Sequence, residues 1–407
     1  MKHIFTRHKG IIFVCLCVIC IFFIFFFLSK VFSIHYYQKQ NDSSKLLAST
    51  TPEKVVFIPS YVSTPESVKG IYMTSWTAGT PSLRNALVKL IDETELNAIV
   101  IDIKDYSGKI VFPIEDNLKL KTYGSEEVRV KDLQDFVELL HKKQIYVIGR
   151  IAVFQDSYFV KHRPDLAVKN LVGSETWKDR KGISWIDPAS REYWDYIILL
   201  TKQARKIGFD EINFDYIRFP SDGNMHDISY TWSSTTPKDV VLKDFFEYLH
   251  NNLISPRSHL GEDVLALGET SGDGRLKISA DLFGMVTTAQ DDMGIGQVLE
   301  NALPYFDYIA PMVYPSHYPP TFEGFAEPEA HPYEVVHFAM QSAVNRTNLA
   351  STTPSKLRPW LQDFGLRMDY GPAEVLAQIK ATNDVGLSSW ILWSASNKYT
   401  KGALQDK

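Results

Sequence analysis

The sequence predicts an α/β protein with a single (β/α)8 TIM barrel, preceded by an amino-terminal transmembrane helix and a linker. Three observations predict this arrangement. An uncharged apolar run stands near the amino terminus, a polar stretch follows it, and from residue 68 short β-branched runs alternate with longer amphipathic ones. Such alternation indicates a parallel sheet, because each crossover must return the chain to the same end of the sheet.

The apolar run of residues 11–28 contains 18 residues and no charge, which is the length of a membrane-spanning helix. Positive charges precede it, at Lys2, Arg7 and Lys9. We therefore expect residues 1–10 to be cytoplasmic, residues 11–34 to form a single-pass signal-anchor in the membrane, and the rest to be extracytoplasmic. A cleaved signal peptide is the alternative, but residues 29–32 offer no small-x-small cleavage site.

Residues 35–67 are polar, rich in Ser, Thr, Gln, Lys and Pro, and show no sustained period, so they are predicted to form a linker. All three cysteines, Cys15, Cys17 and Cys20, lie within the apolar run. The remaining chain therefore has no cysteine for a disulfide, a thiolate metal site or a nucleophile.

Residues 68–400 are predicted to form the barrel, since eight strands separated by helices are the number that closes one. The predicted strands are 70–76, 97–104, 145–154, 210–219, 276–284, 306–314, 357–365 and 387–395. The predicted helices are 82–95, 130–143, 189–207, 237–253, 296–303, 332–349 and 372–382. An open doubly wound sheet is the alternative, but the first strand runs into SWTAGTP, without the glycine-rich turn of that fold.

The fourth strand carries polar groups that suggest a site. Side chains alternate between the two faces of a strand, so if Ile212 and Phe214 face the helices, Asn213 and Asp215 face the barrel axis. Asp215 then lies near the mouth, where a TIM barrel has its active site. Arg218, just beyond it, is predicted to be its partner.

Other strand ends add to this cluster. The same parity points Asp281 inward on the fifth strand, and Asp102 and Lys104 inward on the second. Further inward or strand-end candidates are Arg150, Tyr314, His317, Trp360, Gln362 and either Trp390 or Trp393. Two carboxylates on neighbouring strands among tryptophans are what glycoside hydrolysis requires, because one carboxyl protonates the leaving oxygen and the other attacks or activates water.

Other functions lack their sequence signals. The sequence contains no HExxH, GxSxG or Walker motif, and His331 and His337 are six residues apart, the wrong spacing for two zinc ligands on one helical face. The net charge of -5 does not favour nucleic acid as a partner. We expect no cofactor and no metal.

Ten motifs follow one another along the chain, namely VKGIYMTSWTAG, VIDIKDYSG, GRIAVFQD, HRPDLAV, WIDPASREYWDY, GFDEINFDYIRFP, ISADLFG, DYIAPMVYPSHY, RPWLQDF and ILWSASNKY. In this order they make the chain resemble the bacterial "putative glycoside hydrolase" domain family of exported barrels. The resemblance implies a (β/α)8 fold and hydrolysis of a polysaccharide or cell-envelope glycan, with acidic strand-end motifs on Asp102, Asp215 and Asp281. Asn213 stands where the family is expected to have glutamine.

The sequence therefore predicts a membrane-anchored, extracytoplasmic glycoside hydrolase that acts on a polysaccharide or cell-envelope glycan. Asp215 is predicted to be the nucleophile or a stabilising charge, and Asp281 the general acid/base. The predicted substrate-binding residues are Asp102, Lys104, Arg150, Arg218, Tyr314, His317, Trp360, Gln362 and Trp393. The alternative is a non-catalytic glycan-binding barrel tethered to the envelope, which needs the aromatic groups but not the two carboxylates.

Overall fold

The computed structural model of the protein describes residues 57–114, 117–254 and 275–407. Eight parallel strands close in sequence order into a barrel, which confirms the predicted fold. The strands are β1 (Lys69–Met73), β2 (Ala98–Lys104), β3 (Tyr146–Ala152), β4 (Glu211–Asp215), β5 (Lys277–Phe283), β6 (Tyr308–Met312), β7 (Trp360–Gln362) and β8 (Trp390–Trp393). Each overlaps its predicted strand.

Helices cover the outside of the barrel. They are α1 (Ser75–Ala78), α2 (Pro81–Glu93), α3 (Leu118–Thr122), α4 (Leu133–Lys142), α5 (Ser157–His162), α6 (Arg191–Ile207), α7 (Lys238–Leu253), α8 (Leu299–Ala302), α9 (Pro332–Leu349) and α10 (Pro372–Asp384). Proline opens α2, α9 and α10, at the position where its missing N–H removes no helical hydrogen bond. Gly208 ends α6 with a φ of 121°, a conformation that favours glycine.

The apolar core has two layers. The larger layer lies between the strands and the helices and includes Ile212 and Phe214 of β4. The smaller layer fills the barrel itself and includes Val100, Ile148 and Trp360. The inner and outer faces of β4 therefore follow the predicted alternation, with Asn213 and Asp215 turned toward the axis.

Residues 59–67, which form the end of the predicted linker, contact the amino-terminal end of the barrel. The Val62 N–H donates to Asp210 Oδ1 at 2.8 Å, and the Thr64 hydroxyl donates to the Tyr146 hydroxyl at 3.2 Å. In the same region Arg358 forms a buried salt bridge of 3.0 Å with Glu211. These contacts stabilise the end of the barrel that faces away from the strands' carboxyl ends.

The predicted localisation is contradicted. Within the part of the chain that the structure describes, no helix combines the length and apolar character needed to cross a bilayer. We therefore withdraw the prediction of a single-pass membrane anchor with an extracytoplasmic catalytic domain, and with it the membrane as a partner. The predicted segments 1–10 and 11–34, and the linker up to residue 56, lie outside the described residues.

Candidate active site

A pocket of about 560 Å³ opens at the carboxyl ends of the strands. This is the end of a TIM barrel at which catalytic residues lie. Side chains of β3 to β8 and of the loops after β3, β4, β5 and β6 line it. The lining includes Arg150, Asp215, Asp281, Arg218, Tyr314, His317, Trp360 and Trp393, together with Lys181, Tyr216, Phe283, Met285, Met293, Met312 and Tyr318.

Arg150 of β3 connects two carboxylates of neighbouring strands. Its Nη1 donates to Asp102 Oδ1 at 2.6 Å, and its Nε donates to Asp215 Oδ2 at 3.2 Å, with a further hydrogen bond from Nη2 to the same oxygen. Burial opposes its charge, but Asp215 and Asp102 keep the pKa of Arg150 well above its ordinary value. Arg150 is therefore a cation whose donors are directed at both acids.

Asp215 ends β4 next to a strained residue. Its Oδ1 accepts a 2.6 Å hydrogen bond from the backbone N–H of Tyr216, while its Oδ2 accepts from the Arg150 guanidinium. Tyr216 has a φ of 53°, in the left-handed region that a tyrosine rarely occupies. The strand thus ends abruptly and holds the Asp215 carboxylate at the pocket wall.

Asp281 of β5 lies in a very different environment. Its Oδ1 accepts hydrogen bonds from Asn213 Nδ2 at 2.8 Å and from Trp360 Nε1 at 2.7 Å. Burial, and then the negative charge of Asp215, raise the pKa of Asp281 well above its ordinary value, although Arg150, Asn213 and Trp360 oppose the shift. Asp281 therefore retains its proton to a higher pH than an exposed aspartate does.

Aromatic rings surround the two carboxyl groups. Trp393 of β8 stacks on Tyr72 of β1 at a centroid distance of 4.0 Å and meets Trp360 edge-on at 5.5 Å. Tyr314 and His317 follow β6 and contact each other at 5.3 Å. Burial raises the pKa of Tyr314 and lowers that of His317, so the pocket presents a phenol and a neutral imidazole.

The loops after β4 and β5 supply the remaining wall. Gly284 comes directly after β5, and its backbone lies close to β6. A Cβ at this position would lie 2.4 Å from the Met312 carbonyl oxygen, so only glycine fits there. Among the described residues, no group of three or more His, Cys, Asp or Glu side chains is arranged to hold a metal ion. The chemistry available at the site is that of two carboxyl groups, cations and aromatic rings.

The sequence of the whole barrel matches one family. A family model described as "Putative glycosyl hydrolase domain" matches residues 70–399. The chain belongs to this family. Among curated proteins, none matches the sequence.

Solved structures are similar to this family member. The glycoside hydrolase domain of PgaB (BpsB) from Bordetella bronchiseptica is 13% identical, with a TM-score of 0.56, and the match covers 82% of this chain and 95% of that chain. A hypothetical protein from Ruminiclostridium thermocellum ATCC 27405 is 32% identical, with a TM-score of 0.41, over 45% of this chain and 92% of that chain.

Three of the predicted substrate-binding residues do not line the pocket of this domain. The pairing of β2 with β3 shifts between Asp102 and Lys104, and this irregularity turns Lys104 out of the inner face. Lys104 is fully buried, where its Nζ donates to Ala152 O at 2.6 Å and lies 2.9 Å from Asp156 Oδ2. Strand parity alone does not predict this shift.

The polar groups of Gln362 and Asp102 are also hydrogen-bonded to other residues of the protein. The Gln362 amide accepts from the Ser316 N–H at 3.0 Å and donates to Glu329 and to the Phe364 carbonyl, so it fastens the loop after β6. Asp102 lies buried beneath the pocket, where it accepts hydrogen bonds from Arg150 and from the Tyr72 hydroxyl. Neither residue offers a free polar group to a ligand, which corrects their predicted role.

Several residues of the site were not predicted from the sequence. Asn213 is on the predicted inner face, but nothing in the sequence indicates that it donates to Asp281. Tyr72 and Lys181 reach the site from β1 and from the long loop after β3. The inward parity of Tyr72 is readable from GIYMTSW, whereas the position of Lys181 depends on how the loop folds.

Proposed function

We propose that this protein is a glycoside hydrolase that cleaves a polysaccharide, with Asp281 as general acid and Asp215 as the nucleophile or the charge that stabilises an oxocarbenium-like transition state. One observation carries the proposal. Two carboxyl groups from neighbouring strands line one pocket, and their environments differ, since Asp215 is paired with Arg150 while burial and Asp215 raise the pKa of Asp281. When two neighbouring carboxyl groups have environments that move their pKa values apart, one of them can act as the general acid and the other as the nucleophile.

The hydrogen bonds of Asp281 determine where it carries its proton. Its Oδ1 already accepts from Asn213 and Trp360, so a proton on this carboxyl group resides on Oδ2. From Oδ2 the proton is transferred to the glycosidic oxygen as the bond to the anomeric carbon breaks. Asn213 and Trp360 keep the carboxyl group oriented and prevent Oδ1 from taking the proton.

Arg150 and the aromatic wall have supporting roles in this proposal. Arg150 holds the Asp215 carboxylate in place with two donors. Trp393 and Trp360 line the pocket. Trp360 is fully buried, whereas Trp393 is partly exposed, and an aromatic face of this kind packs on the apolar face of a sugar ring. Tyr314 and His317 provide hydrogen-bonding groups to the sugar hydroxyls, and Arg218 lies farther along the same wall.

The family and the fold support hydrolysis of glycosidic bonds. The chain belongs to a glycosyl hydrolase domain family, and the glycoside hydrolase domain of PgaB has the same fold. The pocket is open at the barrel mouth and bordered by aromatic groups, which suits a polymer chain. A non-catalytic glycan-binding barrel is the alternative, and it does not require a proton on Asp281.

Release of reducing sugar from a panel of bacterial polysaccharides tests the proposal. The full chain is compared with Asp215→Asn and Asp281→Asn, and with Asp384→Asn, a surface aspartate at the end of α10. We expect the first two variants to lose at least ~10²-fold in rate, the scale of a lost acid or base, and Asp384→Asn to retain the rate. A folded parent that binds a glycan but releases no sugar, with both variants binding equally well, supports the binding barrel instead.

A further inference from the structure

Arg218 stands out because it is a cation of the pocket wall without an acidic partner. In the described part of the chain it forms no salt bridge, whereas Arg150, at the centre of the same pocket, is bonded to two carboxylates. Its guanidinium packs near the rings of Phe283 at 4.7 Å and Trp185 at 4.9 Å. These rings shield it from water, and burial lowers its pKa.

The hydrogen bonds of Arg218 leave one edge of the guanidinium unoccupied. Its Nη1 donates to the Phe219 carbonyl at 3.0 Å and to the Ser221 hydroxyl at 3.1 Å. Its Nε and Nη2 donate to none of the described residues. These two nitrogens lie side by side, and such a pair matches the two oxygens of a carboxylate, sulfate or phosphate group.

The nearest acids are occupied with other partners. Asp179 accepts from the N–H groups of Lys181 and Ile183 and from Gln155 and Trp185. Asp215 is bonded to Arg150. These carboxylates, with Asp222, act on the charge of Arg218 only at longer range. The protein therefore does not neutralise this cation by direct contact.

Lys181 adds a second positive charge to the same pocket. It is exposed, lines the pocket and forms no salt bridge with any carboxylate of the described ranges. Apolar side chains complete this side of the wall, namely Phe283, Met285, Met293 and Ile295. A half-buried cation against an apolar wall attracts an anion strongly, because little water competes for it.

We propose that Arg218, with Lys181, binds an anionic substituent of the sugar chain, so that the substrate is an acidic glycan. The substituent is a group with two or more oxygen acceptors, either the carboxylate of a uronic acid or a sulfate ester. This inference rests on the proposed hydrolysis of glycans, because it names the substrate class of the same pocket. It requires the Nε–Nη2 edge of Arg218, which the proposed acid and nucleophile do not use.

Matched pairs of acidic and neutral glycans test this assignment by binding. Hyaluronan and polygalacturonate oligosaccharides are each compared with their carboxyl-reduced forms, and dextran sulfate with dextran, by calorimetry on the Asp215→Asn protein. We expect the acidic member of at least one pair to bind roughly tenfold to hundredfold more tightly, the range of a charge-assisted bidentate contact. The pair that responds distinguishes a carboxylate from a sulfate ester.

Substitutions at Arg218 determine whether this residue causes the preference. Arg218→Met keeps the packing on Phe283 and removes the charge, so it is expected to abolish the difference within the pair. Arg218→Lys keeps the charge without the bidentate edge and is expected to retain only part of it. Arg191→Met is the control, since Arg191 also packs on a ring, that of Trp194 at 3.8 Å, but does not line the pocket.

Equal binding of the acidic and neutral members of every pair overturns the assignment, as does a preference that survives in folded Arg218→Met. If circular dichroism shows that Arg218→Met does not fold, Arg218→Lys and Lys181→Met decide, and an undiminished preference in both overturns it. Preferential binding without any sugar release contradicts the hydrolase proposal alone. Sugar release from neutral glycans without an acidic preference contradicts this inference alone.

Discussion

Trp360 Nε1 donates a hydrogen bond of 2.7 Å to Asp281 Oδ1, joining β7 to β5 across the barrel. The indole N–H stabilises the ionised form of the carboxyl group and lowers its pKa, in opposition to burial and to Asp215. The proton affinity of the proposed acid is thus set by residues from several strands. This arrangement has consequences that can be measured.

Replacement of Trp360 by Phe is expected to raise the pKa of Asp281 further, because it removes a donor to the charged form. A general acid must be protonated, so activity falls as the pH rises through this pKa. The basic limb of the kcat/KM profile should therefore move to higher pH in Trp360→Phe. Trp390→Phe is the control, since Trp390 Nε1 has no hydrogen-bond partner among the described residues. An unchanged profile in Trp360→Phe contradicts the assignment of the basic limb to Asp281.

The leaving group distinguishes the roles of Asp281 and Asp215. An aryl glycoside with a nitrophenolate leaving group needs little protonation, so Asp281→Ala is expected to recover most of its bond-cleavage rate on that substrate. Asp215→Ala is not expected to recover, because the anomeric carbon still lacks its nucleophile or stabilising charge. Rates measured on the glycan and on the aryl glycoside give the comparison. Recovery by Asp215→Ala instead would reverse the two roles.

Arg150→Met is expected to destabilise the fold as well as to abolish activity. The substitution leaves the buried carboxylates of Asp102 and Asp215 without their shared cation, a situation that costs about 3–5 kcal/mol of unfolding free energy. Adding Asp102→Asn removes one of the two uncompensated charges and should restore part of the stability but not the activity. Urea denaturation provides the measurement. An Arg150→Met protein with wild-type stability and activity is the contrary outcome.

Lys104→Met tests whether Lys104 lies outside the pocket, as the structure indicates, and not inside it, as strand parity predicts. Lys104 is fully buried beside Asp156, so its loss is expected to lower the unfolding free energy by about 3–5 kcal/mol. The folded fraction should keep the wild-type KM, because Lys104 does not line the pocket. Asp156→Asn in the same chain should recover part of the stability. A higher KM in the folded variant would indicate that Lys104 contacts the substrate after all.

The barrel was predictable from sequence because the spacing of apolar residues within each strand and helix, and the alternation of strands with helices, depend on local residues. All eight predicted strands overlap observed ones, and helix α9 has the predicted bounds of 332 and 349. The predicted strand 210–219 is too long, since Tyr216 leaves the strand with a positive φ and an apolar run does not mark that turn. Parity placed Asp215 and Asp281 correctly on the inner face for the same local reason.

The failures share a physical cause, which is that they depend on contacts between distant segments. Lys104 leaves the inner face at a shift in pairing with β3, and Gln362 is bonded to Ser316, 46 residues away in the chain. Arg218 was predicted to pair with Asp215, but the structure assigns that carboxylate to Arg150. In all three cases the contacts of the residue depend on groups from other elements, and the residue pattern of a single strand does not specify those groups.

The most direct test of the account is the protonation state of Asp281 in the folded full chain at pH values above the ordinary pKa of aspartate, about 3.9. Infrared difference spectroscopy between the wild-type protein and Asp281→Asn detects the carbonyl band of a protonated carboxyl group, and Asp215→Asn serves as the comparison. We expect the wild-type spectrum to contain a protonated-carboxyl band that Asp281→Asn lacks, and that disappears only at pH values well above the ordinary pKa of aspartate, about 3.9. A wild-type spectrum that loses that band at the ordinary pKa of aspartate would contradict the assignment of Asp281 as the general acid.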